Sequence, residues 1–269
     1  MKEIQFTKMT GTGNDFIIFD NRTKIFSGEE ADFFSTICRR RVSIGGDGVI
    51  LLEKGRDSSI AMRYFNSDGR EAAMCGNGAR CIAYYTRYKG IIKEKEFYIE
   101  TGSGRHRVRL DGRRVTLFIE KVIDMRMGLG VVDEPGLNEI GFINTGVPHL
   151  VIEADCIDTI DVVERGRFYR NHPLFEHGTN VDFIKRLNSH RINIRTYERG
   201  VEDETLSCGT GCVASALLCS RSINVDSPVT VATKGGELVV EFNDDWKEVS
   251  LTGEVEIVFE GLLYLEGND

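Results

Sequence analysis

Two cysteines in this chain sit inside the same tetrapeptide, Cys75-Gly76-Asn77-Gly78 and Cys208-Gly209-Thr210-Gly211, 133 residues apart. Each tetrapeptide precedes a segment with helical spacing of apolar residues. Ala79, Ile82 and Ala83 form one stripe, ending near Gly90, and Val213, Ala216 and Leu217 repeat it with almost no charge. A thiol at a helix start meets orphan backbone N–H groups and the positive end of the helix dipole. The glycines let a ligand come close to the backbone, so the same place can cradle a carboxylate. The field there is expected to favour thiolate, lowering the thiol pKa from about 8.5 toward neutrality. Two such thiols acting on opposite faces of one carbon could invert a stereocentre. One removes the α-proton and the other returns a proton, while N–H donors stabilise the carbanion.

Other chemistries fit these residues less well. Cys75 with Cys81, and Cys208 with Cys212, could be read as metal-ligand pairs, but neither combines the usual two- to four-residue ligand spacing with a matching His pair. No metal is therefore expected. A phosphate loop is weaker still, because no Gly-Lys-Ser/Thr follows either glycine cluster. Of the seven cysteines, Cys38, Cys156 and Cys219 read as small buried hydrophobes.

The elements that must position the two thiols repeat as well. At the same spacing Thr12-Gly13 matches Thr145-Gly146, Gly45 matches Gly178, Tyr64 matches Tyr197 and Ala83 matches Ala216. Two homologous halves facing each other follow: 1–117 carrying Cys75, with 257–269 a candidate to complete it, and 118–256 carrying Cys208, the boundary falling near 115 to 120. Both halves are rich in short apolar runs bounded by Gly, Asp or Asn, such as Phe16 to Phe19, Val49 to Leu52 and Ile60 to Phe65. Asp111-Gly112 marks a hairpin, and Asn243-Asp244-Asp245 marks a second turn. Helices are expected over Glu29 to Arg39 and Asp161 to Arg170, and after each cysteine. The uncharged helix after Cys208 should be buried inside its own half's sheet.

The chain of 269 residues is 41% apolar and 28% charged, with a net charge of -8 and acidic and basic residues intermixed. That is a globular composition, and it argues against nucleic acid as a partner. No secretory signal follows Met1, and the uncharged run Thr205 to Ser220 is too short to span a bilayer. No membrane contact and a cytoplasmic location are expected.

The same residues resemble the diaminopimelate epimerase family. The likeness rests on Lys8 to Phe16, Phe65 to Gly69, Met74 to Cys81, Gly146-Val147-Pro148-His149, Asn180 to Phe183, Glu198-Arg199-Gly200 and Ser207 to Gly211, and runs from about Phe6 to the C-terminus. It implies an α/β (α+β) fold of two pseudo-symmetric domains, each a curled, mostly antiparallel sheet around a central helix, with the active site in the cleft between them. It implies an isomerase interconverting LL- and meso-2,6-diaminopimelate on the route to lysine and peptidoglycan, independent of pyridoxal phosphate and of any other cofactor. A homodimer is the implied assembly. Carried over position by position, Cys75 and Cys208 are the acid/base thiols. Gly76-Asn77 and Gly209-Thr210 hold the reacting carboxylate. Asn14, Asn66, Asn180 and Arg199 contact substrate, and Glu198 and His149 tune the thiols and contact the α-amino group.

Two positions depart from the family's pattern. Val147 stands where many members carry a substrate-touching Asn, and Gly48 where some carry Gln. Proline or hydroxyproline racemases of the same fold are the nearest alternative, but they typically show His where Asn77 stands. A zinc- or redox-responsive binding protein is the remote one.

Overall fold

The computed structural model describes residues 2–56, 59–119 and 122–265. The chain divides into two compact units. One runs to Leu117 and resumes from Gly253, and the other is Phe118–Thr252. Residue 120 of the expected boundary, and 266–269 of the expected C-terminal completion, lie outside the described residues.

The first unit contains β1 (Lys2–Gly11), β2 (Asn14–Asp20), α1 (Ala31–Cys38), β3 (Gly48–Lys54), β4 (Ile60–Asn66), β5 (Glu71–Ala72), α2 (Gly76–Tyr88), β6 (Glu96–Thr101) and β7 (Gly104–Asp111), and β8 (Arg114–Ile119) leads out of it. The second contains β9 (Ile123–Arg126), β10 (Leu137–Asn144), β11 (Pro148–Ala154), α3 (Val162–Arg170), β12 (Asn180–Asn188), β13 (Arg191–Glu198), β14 (Asp203–Thr205), α4 (Gly209–Ser222), β15 (Val229–Thr233) and β16 (Gly236–Phe242). The last strand, β17 (Val249–Leu265), begins in the second unit and ends in the first.

The two units share one pairing scheme. In the first, β1 and β2 are antiparallel, β2 and β3 parallel, β3 and β4 antiparallel, β4 and β6 parallel, and β6 and β7 antiparallel. In the second, β10 to β13, β15 and β16 follow the same sequence of senses. Each parallel pair β2/β3 and β11/β12 is bridged by a crossover helix, α1 or α3, as parallel neighbours require. The outer edge of each first strand is then taken by a strand from the end of a repeat: β17 pairs with β1, and β9 with β10.

Each sheet is covered on both faces, which is why its strands are apolar runs and not alternating ones. On β2 and β3, Ile17, Phe19, Val49 and Leu51 pack with Phe34 and Ile37 of α1. The opposite parity faces α2: Ile50 lies beneath Gly78, and Phe16 meets Tyr64 edge-on with centroids 5.9 Å apart. In the second unit, Leu150, Ile152, Val181 and Phe183 pack with Val162 and Tyr169 of α3. Val151, Ile184 and Ile194 pack with Val213, Ala216 and Leu217 of α4, which the sheet wraps.

The expected hairpin at Asp111-Gly112 is present, with Asp111 opposite Arg114 and Gly112 at φ 59°. The turn after β16 is closed by Asn243, whose N–H donates to Glu248 and whose side-chain oxygen accepts the Glu248 N–H. Asp161 caps α3, accepting the Glu164 N–H at 2.9 Å. The helix expected from Glu29 begins later, at Ala31, because the Glu30 carboxylate folds back onto the Ser27 and Gly28 N–H groups and holds that stretch in a turn.

One sequence match fails. Tyr64 and Tyr197 do not occupy equivalent places, for Tyr64 lies on the α2 face of its sheet and Tyr197 in the α3 cluster. Ile50 pairs with Tyr64 and Asp182 with Thr196, and Ile50 and Asp182 both underlie the second glycine of a cysteine motif. Equivalent residues here are 132 apart, so β3 and β4 are one position out of register with the spacing of the cysteines. In a strand, a shift of one residue moves a side chain to the other face.

Candidate active site

In the first unit Cys75 is the N-cap of α2, in extended conformation at φ −139° and ψ 116°. Cys75 is half-buried, and its Sγ accepts the Gly78 N–H at 3.4 Å. Asn77, the buried second residue of the helix, donates to Asn14 Oδ1 at 2.7 Å and accepts from Arg80 at 2.9 Å. The buried Arg80 guanidinium also donates to Thr12 Oγ1 at 2.9 Å, tying the tight β1–β2 turn, where Thr12 and Gly13 have positive φ, to the helix start. Asn14 donates to Asp47 Oδ2 at 2.9 Å. Asp47 and Asp15 are bridged by Arg40, and Lys8 pairs with Asp15 at 2.8 Å. The Asn14 amide is therefore held from two sides, by Asn77 and by Asp47.

Asn66 ends β4 opposite Gly48, on the same end of the sheet as Phe16, and its exposed backbone closes the 66–70 turn. A β-carbon on Gly48 would run into the Phe65 carbonyl and lie 2.5 Å from the Tyr64 ring. No larger residue fits this position as the strands are packed, and the Tyr64 ring takes the space.

In the second unit Cys208 is the N-cap of α4, at φ −117° and ψ 109°, and is buried. Its Sγ lies 3.4 Å from Thr210 Oγ1, and that hydroxyl lies 2.9 Å from His149 Nε2. The other imidazole nitrogen, Nδ1, lies 2.7 Å from Asp182 Oδ2, and the Thr196 hydroxyl donates to Asp182 Oδ1 at 2.7 Å. His149 and Asp182 are wholly buried. Thr145 donates to the Thr210 carbonyl at 3.0 Å, fastening the β10–β11 loop to the helix start. Asn180 donates to the Pro148 carbonyl and accepts the Arg199 N–H at 2.8 Å, and Arg199 Nη1 donates to the His177 carbonyl at 3.1 Å.

The electrostatics of Cys208 run against the sequence expectation. Burial pushes its thiol well above the ordinary value, and the Glu198 and Asp182 carboxylates add to the rise. The Thr210 hydroxyl and the Gly211 N–H oppose it without prevailing. A helix start lowers a thiol pKa where the sulfur is partly exposed, but here desolvation of the anion outweighs the donors that the helix start offers. Burial likewise raises the Glu198 carboxyl, against the Thr205 hydroxyl and the field of His149.

A family model described as Diaminopimelate epimerase matches residues 6–122 and 141–258. Relatives bearing that name include the protein of Flavobacterium psychrophilum, 38% identical over 94% of this chain and 97% of its own length. The Chlorobaculum tepidum protein is 39% identical over 96% of this chain and 100% of its own. The chain belongs to the diaminopimelate epimerase family. Solved structures share the fold at lower identity. A Bacillus anthracis phenazine biosynthesis protein of the PhzF family superposes with a TM-score of 0.77 at 15% identity, covering 98% of this chain and 100% of its own. A hydroxyproline epimerase from Agrobacterium vitis gives 0.68 at 16%, covering 99% and 94%.

Within this diaminopimelate epimerase fold, Gly76, Asn77 and Cys75 gather with Asn14 in one unit, and Gly209, Thr210, Cys208, His149 and Glu198 in the other. Asn180 and Arg199 join the second group through the backbone of residue 199. Asp182, Thr196, Asp47 and Arg80 had no role assigned from sequence. The signal at Asp182 was a carboxylate set between the apolar Val181 and Phe183-Ile184, in a stretch from Asn180 to Ile184 of which every residue is buried. A buried carboxylate requires partners, and these proved to be His149 and Thr196. Among the other cysteines, Cys156 is exposed on the surface and not a packed hydrophobe. Burial pushes Cys38 up to about 11, and Cys81 and Cys219 up to about 12. A β-carbon on Gly11 would lie 2.9 Å from Cys81 Sγ, so Cys81 fills the space under β1. Among the described residues no group of three or more His, Cys, Asp and Glu side chains is placed to hold a metal ion.

Proposed function

We propose that this protein interconverts LL- and meso-2,6-diaminopimelate by moving the α-proton between Cys75 and Cys208, with no cofactor, in the supply of lysine and peptidoglycan precursors. The observation that carries the reading is that both thiols are N-caps of the central helices of two units with one pairing scheme, within a chain of this family. Each helix start offers N–H groups to the α-carboxylate, where charge builds as the proton leaves.

The environments of the thiols suggest how they begin. Cys208, pushed up by burial and by two carboxylates, rests as the proton-bearing thiol. Cys75, half-exposed and accepting the Gly78 N–H, is suited to take the α-proton. Carbon–hydrogen bond cleavage at Cys75 is then followed by proton delivery from Cys208 to the opposite face, and the reverse reaction exchanges the roles. Asn14, Asn66, Asn180 and Arg199 would hold the distal amino-acid head, Arg199 by the two-point pairing a guanidinium makes with a carboxylate. Glu198 and His149 would meet the α-amino group. The protein works as a cytoplasmic homodimer in this reading; no helix among the described residues is long and apolar enough to cross a membrane.

Incubation with LL-diaminopimelate in deuterated water tests the function. Product should gain solvent deuterium at one α-carbon, and inversion without label would sink the two-thiol scheme. Racemisation of L-proline in place of diaminopimelate would move the assignment to the proline type. Replacing either Cys75 or Cys208 by Ala should abolish turnover. Mild oxidation should inactivate the enzyme through a Cys75–Cys208 disulfide and thiol reductant restore it, as expected if both sulfurs reach one substrate carbon.

A further inference from the structure

Thr210 lies between Cys208 and His149, and His149 lies between Thr210 and Asp182, so four side chains form one line inside the second unit. The acceptor at its far end sets its polarity. A carboxylate only accepts, so Asp182 Oδ2 takes a hydrogen from His149 Nδ1 and leaves Nε2 of the neutral ring as an acceptor. The Thr210 hydroxyl then donates to Nε2, and its oxygen lone pair faces the Cys208 S–H. When Cys208 has given up its proton, the hydroxyl can turn and donate to the thiolate, and Nε2 is free to carry a hydrogen of its own.

Resting on the two-thiol reading above, we propose that Asp182 is a positioning residue that fixes the His149 tautomer, so that the Thr210 hydroxyl passes a proton between Cys208 Sγ and His149 Nε2. The step balances within the line. From thiolate and imidazolium, the Nε2–H bond breaks as a proton joins the Thr210 oxygen, and the Thr210 O–H bond breaks as its proton joins sulfur. The result is thiol and neutral imidazole. Asp182 Oδ2 accepts from Nδ1–H throughout and lies against the charge that the ring takes on. Run the other way, thiol and neutral imidazole give the thiolate and imidazolium pair with which Cys208 takes a proton from substrate in the reverse reaction.

Three features support a built arrangement. Asp182 has its second oxygen fixed by Thr196, and all three of Asp182, His149 and Thr196 are buried. Gly211 leaves the room in which the carboxylate sits, for a β-carbon there would be 2.5 Å from Asp182 Oδ1. The charged group that faces both His149 and Cys208 from β13 is Glu198, whose carboxyl is raised by burial and whose field helps keep Cys208 in its proton-bearing form.

The test combines spectroscopy and kinetics. In the wild type, ¹⁵N resonances of His149 should report the Nδ1–H tautomer. In Asp182→Asn, Thr196 keeps the amide oxygen on its side, the NH₂ turns to Nδ1, and the ring should switch to Nε2–H. Activity on diaminopimelate should then fall in kcat by about 10- to 100-fold, as for loss of a residue that orients a catalytic ligand, with KM within about threefold. Thr210→Val should fall similarly, Thr210→Ser should recover most of the rate, and the double variant should be no worse than the poorer single one. An Nε2–H ring in the wild type, unchanged kcat in Thr210→Val, or multiplicative losses in the double variant would each overturn the proposal. Should Asp182→Asn fail to fold, the Thr210 pair and the wild-type tautomer decide it. Wild type inactive on diaminopimelate would refute the substrate assignment, while the tautomer measurement still judges the line.

Discussion

Ile50 and Asp182 occupy the same place in the two units, each beneath the second glycine of a Cys-Gly-x-Gly motif. A β-carbon on Gly78 would lie 3.1 Å from Ile50 Cδ1, and one on Gly211 would lie 2.5 Å from Asp182 Oδ1. The repeat therefore keeps its backbone and changes its chemistry: apolar packing supports Cys75, and a hydrogen-bonded carboxylate supports Cys208.

This difference predicts unequal responses to one substitution. Gly78→Ala meets the end of a flexible side chain and gains up to about 1 kcal/mol of helix propensity, so its melting temperature should hardly change. Gly211→Ala must displace a buried carboxylate bound to His149 and Thr196. It should lose about 1–3 kcal/mol and most of its turnover. Thermal denaturation of the two variants side by side checks the order, and equal melting temperatures would contradict it.

Much of the architecture was legible because it follows from burial. Runs such as Phe16 to Phe19 are apolar on both parities because helices cover both faces of their sheet, and α4 lacks charge because a sheet surrounds it. What misled was register. Tyr64 and Tyr197 match in type and spacing yet face opposite sides, since one position is lost between the halves before β12. What stayed hidden was pairing across strands. Asp182 reads as one acid in a strand until His149, 33 residues earlier, is placed beside it. The state of Cys208 was hidden likewise, because helix position is visible in sequence and desolvation is not.

The thiols should differ in reactivity. With iodoacetamide near pH 8, exposed Cys156 and half-exposed Cys75 should be alkylated first. Cys38, Cys81 and Cys219, raised to about 11, 12 and 12 by burial, should resist. Cys208 should lag behind Cys75, and mass spectrometry of timed samples gives the order. Alkylation of Cys208 ahead of Cys75 would mean that its thiol is not held in the protonated form.

Position 48 offers a test of how the packing limits variation. Gly48→Gln forces a side chain against the Phe65 carbonyl and the Tyr64 ring. It should destabilise the fold by about 1–3 kcal/mol, and pairing it with Tyr64→Ala should recover part of that loss by clearing the ring. The backbone contact remains in the double variant, so recovery should be incomplete. Urea unfolding of the three variants measures both effects.

Glu198 makes stability depend on pH in a defined direction. Its carboxyl is raised above the ordinary 4.5 by burial, so the folded protein binds this proton more tightly than the unfolded chain does. The stability it contributes is fully present below about pH 4.5 and is lost as pH climbs through the elevated value. Glu198→Gln cannot ionise and should lack that loss. Relative to wild type, the variant should gain stability on moving from acid toward neutral pH, measured by urea unfolding across the range. Cys208 acts in the same sense at higher pH, since its thiol is raised above 9.0 and its contribution falls only as pH passes upward through the raised value. A wild type that gained stability over Glu198→Gln on going from acid to neutral pH would show that Glu198 is ionised in the folded protein, with His149 and Thr205 holding the charge against burial.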